Sequence, residues 1–112
     1  MIVEDNPPMR RLIRRLTEDL FAEVSECGDG AAAAALYESV RPDWVLMDIQ
    51  MGEVNGIEAT RLIISDHPEA KIIIVTDYDD AALRAAAEEA GACGYVSKED
   101  LLGLRQRLMR EG

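Results

Sequence analysis

Five side chains in this sequence stand just past apolar, β-branched runs, where chemistry is most easily assembled. Glu4 and Asp5 follow Met1–Val3, Asp48 follows Trp44–Met47, Thr76 follows Ile72–Val75, and Lys98 comes shortly after Tyr95–Val96. In an open parallel sheet, functional residues collect beyond the carboxyl ends of the strands. Three carboxylates, one hydroxyl and one ammonium would then converge on one edge. Carboxylates so packed repel, at ~4 Å by on the order of 4 kcal/mol per pair for an effective dielectric near 20. Lys98 offsets one charge, and a divalent, oxygen-seeking ion such as Mg²⁺ offsets two more. Mg²⁺ takes one or two carboxylates together with waters and phosphate oxygens, so the set points to phosphoryl transfer.

The elements that must position these groups are legible as alternating short apolar runs and helical periods. Met1–Val3 reads as the end of a strand that is unusually short for a central position. Asn6 is placed to cap a helix with Pro7 at its first position, and Leu12, Ile13, Leu16 and Leu20 repeat at helical spacing. Ala22–Cys27 reads as a second strand, and Asp29–Val40 as an alanine-rich helix stopped by Pro42. Trp44–Met47 and Ile72–Val75 lack alternation, as central parallel strands covered on both faces do. Helices are expected over Gly56–Ser65, Asp80–Ala90 and Glu99–Arg110, with Tyr95–Val96 as a short fifth strand. The pattern implies an α/β, doubly wound, five-stranded parallel sheet with right-handed crossovers and five helices.

Bulk properties exclude several function classes. The 112 residues suit one domain, 1–112, with no output domain inside the chain. A net charge of −10 opposes direct nucleic-acid binding and anionic membranes, since phosphate contacts need clustered Lys and Arg. No apolar run approaches the ~18 residues of a membrane span, and MIVEDNPP carries no signal-peptide pattern. Cys27 and Cys93, without metal-ligand spacing, read as reduced core thiols of a cytoplasmic protein. His67, before Pro68, reads as a surface turn residue, and Trp44 as packing. Arg10, Arg11, Arg14 and Arg15 read as a solvated helix face, though a basic one that stands out on so acidic a chain.

The segments IVEDN, VLMDIQM, NG, IIIVTDY and GYVSKED follow the order and spacing of bacterial response-regulator receiver domains, which the chain resembles over essentially its whole length. The resemblance is to CheY-like receivers, closest in flavour to the NarL/LuxR type. It implies a flavodoxin-like sheet of order 2-1-3-4-5 and a phosphorylation-dependent switch in two-component signal transduction and transcription regulation, not a turnover enzyme. By that resemblance Asp48 is the phosphoacceptor. Asp5, Asp48 and the backbone carbonyl of Gln50 hold Mg²⁺, with Glu4 acting through water. Lys98 pairs with the carboxylate and then the phosphoryl oxygens, Thr76 rotates onto the phosphoryl group, and Tyr95 swings inward behind it. The implied partners are a sensor histidine kinase or phosphotransfer protein, then an output domain or downstream protein, with a homodimer left open.

The sequence departs from the family pattern at several positions. Glu4 stands for the commoner Asp, Gly52 for a Pro that would stiffen the loop, and Glu99 for the Pro after the lysine. Asp77 places a carboxylate where a small residue is usual and is expected to slow access by anionic phosphodonors. Tyr78 and Gln50 are expected to flank the path of hydrolytic water. A receiver-like interaction module acting without phosphorylation fits the same fold. An aspartate-nucleophile phosphatase lacks its acid, since Gln50 occupies that place. A flavin binder would need free loop amides that Pro7 and Pro8 remove.

Overall fold

The computed structural model describes residues 1–50, 54–78 and 80–111; Gly52 lies outside them. The elements are β1 (Ile2–Val3), α1 (Pro7–Thr17), β2 (Glu26–Cys27), α2 (Gly30–Val40), β3 (Val45–Met47), α3 (Gly56–Asp66), β4 (Ile72–Thr76), α4 (Ala81–Ala90), β5 (Gly94–Ser97) and α5 (Leu101–Glu111). All ladders are parallel and the strand order is β2-β1-β3-β4-β5. The expected fold class therefore holds.

Two apolar layers sandwich the sheet, because alternate strand residues face opposite sides. Val3, Val45, Met47, Ile72 and Ile74 pack with Ala33, Tyr37, Ile57, Ile63 and Ala87 of α2, α3 and α4. Ile2, Leu46, Ile73 and Val75 pack with Ile13 of α1 and Leu101, Leu104 and Leu108 of α5. Trp44 is buried at the start of β3, with Lys71 Nζ 5.0 Å from its ring centre. Caps begin all five helices: Asn6, Asp29, Asn55, Asp80 and Asp100 each accept from backbone amides in the following first turn.

Several boundaries and burial expectations are corrected. The second strand is confined to Glu26–Cys27, because its one neighbour in the sheet, β1, offers only Ile2 and Val3 for pairing. Residues Glu18–Leu20 form a 3-10 turn instead. Helix α5 begins at Leu101 rather than Glu99, since Ser97–Asp100 is tied as a turn and Asp100 Oδ1 accepts from Gly103 N at 3.0 Å. β5 is longer than expected, running in register with Ile73–Thr76. His67 is buried rather than a surface residue: its ring closes the gap between α3 and α2, 2.6 Å from Glu38 Oε2 and 5.0 Å from the Tyr37 ring centre. Cys93 is exposed and is not a core thiol, whereas Cys27 is half-buried and packs against the core. Cys93 sits in the turn entering β5, at the sheet edge, where Arg107 of α5 donates to its backbone carbonyl and its side chain stays exposed.

Candidate functional site

Parallel strands put their carboxyl ends at one edge, and the topology delivers the polar residues there. Glu4 follows β1, Asp48 follows β3, Thr76 closes β4 and Lys98 follows β5. The two-residue β1 is seated between its neighbours: Glu4 N donates to Cys27 O and Asp48 N to Val3 O, both at 2.9 Å. Lys98 N donates to Thr76 O at 2.9 Å, which places its side chain over the strand ends. Its ammonium reaches Glu4 Oε1 at 2.7 Å and Asp48 Oδ2 at 3.3 Å.

This ion group is nearly dry, with the Lys98, Glu4 and Asp48 side chains 8%, 1% and 7% exposed. The Glu4–Lys98 approach is short but off-axis, so Glu4 Oε1 has an ion contact without an aligned hydrogen bond. Burial pushes the Glu4 carboxyl up to about 7; the Lys98 ammonium pulls against that rise and the neighbouring Asp48 adds to it. Lys98 is disfavoured by burial, yet Glu4 and Asp48 together hold its ammonium more firmly charged than usual. Burial dominates the Glu4 shift, whereas the two carboxylates hold Lys98 charged against its own burial; the pocket carries more negative charge than its single lysine offsets.

Glu4, Asp5 and Asp48 each present a carboxylate oxygen within 4.8 Å of the other two, and theirs is the single such group among the described residues. An all-oxygen, under-compensated cluster suits a hard divalent cation, so these residues fit Mg²⁺. Asp5 is exposed and gives the cluster an open side. Gln50 is exposed two residues past Asp48.

The remaining expected site residues lie around this centre. Thr76 is fully buried, and its hydroxyl accepts from Tyr78 N at 3.3 Å. Tyr95 stands opposite Ile74 in the ladder and donates its hydroxyl to the carbonyl of Tyr78 at 2.5 Å. The loop after Thr76 is thereby tied to β5. Asp77 is exposed and lines a small cavity with Asn6, Pro8, Met9, Leu12 and Lys98. Asp77 and Lys98 thus line the same cavity.

Two residues matter more than their sequence context suggested. Gly56 was visible only as part of an Asn-Gly pair; a Cβ there would fall 1.8 Å from the carbonyl oxygen of Asp48. Only glycine lets α3 approach the end of β3 so closely. Arg10 belongs to the basic face, but it and Arg14 are engaged with Glu26, whereas Arg11 and Arg15 are exposed.

Residues 1–108 match the response regulator receiver domain profile, and the chain belongs to that family. It is a receiver domain of the response regulators of two-component systems. A LuxR-family two-component response regulator from Aurantimonas sp. SI85-9A1 superposes with a TM-score of 0.92 at 39% identity, covering 99% of this chain and 81% of that one. The transcriptional regulatory protein DegU of Brevibacillus brevis is 37% identical over 101 residues, 88% of this chain and 43% of that protein. Protein CcdB of Bacillus subtilis (strain 168) is 38% identical over 99 residues, 88% of this chain and 82% of its own length. This chain therefore spans less than half the length of the DegU relative. Among the described residues no helix is long and apolar enough to cross a membrane.

Proposed function

We propose that the domain is a cytoplasmic, phosphorylation-dependent switch that accepts a phosphoryl group on Asp48 from a sensor histidine kinase or phosphotransfer protein. The observation that carries this reading is the buried Asp48 carboxylate, 3.3 Å from Lys98, inside the one acidic cluster among the described residues. The Ile49 amide donates to Asp48 Oδ1 at 2.8 Å and orients the carboxylate. In the transfer, an Asp48 oxygen attacks phosphorus, the phosphohistidine P–N bond breaks, and its electron pair returns to the imidazole, which takes up a proton. The product is an acyl phosphate. Mg²⁺ held by Asp5, Asp48 and the Gln50 carbonyl, with Glu4 through water, would neutralise charge on the phosphoryl oxygens. Lys98 then turns from the carboxylates to the phosphoryl group, and Thr76 exchanges its bond to the Tyr78 amide for one to a phosphoryl oxygen. That exchange loosens the loop to which Tyr95 is tied, so Tyr95 can move.

Reversing a 1:99 equilibrium takes about 5.5 kcal/mol. Charge-assisted hydrogen bonds contribute roughly 1.5–3 kcal/mol each, so Thr76 and Lys98 together are of the right order and either alone is not. The changed face would then act on an output domain, a downstream protein or a second copy. Incubation with acetyl phosphate and Mg²⁺ followed by intact-mass measurement tests the reading. One phosphoryl adduct is expected, absent in Asp48→Asn. An adduct that persists in Asp48→Asn refutes Asp48 as the acceptor, and no adduct in the wild type favours an interaction module that works without phosphorylation.

A further inference from the structure

Of the four arginines on α1, Arg10 is the one whose described contacts reach the acidic cluster. Its Nη1 donates to the backbone carbonyl of Glu4 at 2.8 Å, and its Nε lies 3.2 Å from Glu26 Oε1. Glu26 is held in register opposite Ile2, and its second oxygen meets Arg14 Nη1 at 2.5 Å. The Glu4 amide in turn donates to Cys27 O at 2.9 Å. The Glu4 residue is thus gripped from both sides, by the backbone of β2 and by a guanidinium braced against a β2 side chain. β1 has just two ladder residues. The turn that leads to Asp5 is otherwise tied by Asn6, whose amide donates to Glu4 Oε2 at 3.3 Å and whose side chain caps α1. The Glu4 carbonyl is held by Arg10.

We propose that Arg10 is a positioning residue for the cation site: by bridging the Glu4 carbonyl to Glu26, it sets where Glu4 and Asp5 present their oxygens beside Asp48. The inference rests on reading that cluster as a Mg²⁺ site. The peptide joining Glu4 to Asp5 is planar, so fixing its carbonyl also fixes the direction in which Asp5 leaves β1. A guanidinium suits this task because its fork serves two acceptors at once, whereas an ammonium is a single point. Groups that orient ligands from outside typically tune metal affinity by about 10- to 100-fold. Arg10 is also a positive charge near a cation site, and charge alone would weaken cation binding. The sign of the effect therefore separates the two roles. Positioning predicts weaker binding when Arg10 is removed, and simple repulsion predicts tighter binding.

Calorimetric titration of the unphosphorylated protein with Mg²⁺, with thermal melting in parallel, tests this in Arg10→Gln and Arg10→Lys. Arg10→Gln is expected to bind about tenfold more weakly, at the low end of that range. Arg10→Lys should lose less, keeping the charge and one contact but not the bridge. Melting should change little, since partly exposed ion pairs contribute little to stability. Unchanged or tighter binding in Arg10→Gln overturns the proposal. If Arg10→Gln unfolds, Arg10→Lys decides: wild-type affinity there overturns it and a partial loss supports it. The titration needs no phosphodonor. A wild type that binds Mg²⁺ yet forms no adduct removes the phosphoacceptor reading without touching this one, whereas a wild type that binds no Mg²⁺ overturns it.

Discussion

Replacing Glu4 by glutamine should stabilise the cation-free protein, and only above a defined pH. Burial moves this carboxyl from 4.5 to about 7. At ~1.36 kcal/mol per pH unit, the ionised form is about 3 kcal/mol less favourable in the folded site than in the unfolded chain. The folded state binds the proton more tightly, so stability is lost as pH rises from about 4.5 to about 7 and is fully present below that window. Glutamine mimics the protonated form, but its extra NH₂ needs an acceptor in a nearly dry pocket, which returns about 1 kcal/mol or more. The net expectation for Glu4→Gln at pH 8 with chelator is a gain of about 1–2 kcal/mol, or roughly 5–10 °C in Tm for a chain of this size. The advantage should vanish toward pH 4.5, and Mg²⁺ should narrow it by offsetting the same charge in the wild type. Thermal melts of both proteins across this pH range, with chelator and with Mg²⁺, are the assay. A Glu4→Gln protein no more stable than wild type at pH 8, or equally advantaged at pH 4.5, would refute the claim that Glu4 is ionised at a cost.

Lys98→Met removes the cation within 2.7 Å of Glu4 and 3.3 Å of Asp48. Adduct formation with acetyl phosphate should slow by on the order of 10²-fold, and a rate within about threefold of wild type would count against its role. Asp77→Ala should speed the same reaction a few-fold, with the advantage shrinking as salt screens an exposed charge. An unchanged rate at low salt would leave Asp77 without an effect on access. Gly56→Ala would place a Cβ 1.8 Å from the Asp48 carbonyl oxygen. Denaturant melts should show a loss of about 1–3 kcal/mol or more, with a lower phosphoryl-adduct yield as Asp48 is displaced; wild-type stability and yield would contradict the contact.

The order of elements and the membership of the ion group were legible in the amino-acid sequence because both follow from local pattern. Unalternating apolar runs such as Ile72–Val75 can be satisfied only between two helical layers, and parallel strands bring their carboxyl ends together whatever the loops do. Glu4, Asp48, Thr76 and Lys98 could therefore be assigned to one edge from position alone. Tertiary structure decided everything that depends on distance between elements. Glu4, not Asp48, proved the nearer partner of Lys98, because its longer side chain spans from β1 to the residue after β5. Arg10 turned from a face of charge into a clamp on the Glu4 carbonyl. Gly56 turned from half of a turn signal into the contact that admits α3 beside Asp48. His67 was drawn inside and Cys93 left outside, against their local appearance, because burial depends on which helix happens to cover a turn. Periodicity reports which face of an element is apolar; it carries no information on how closely two elements, each correctly read, will meet.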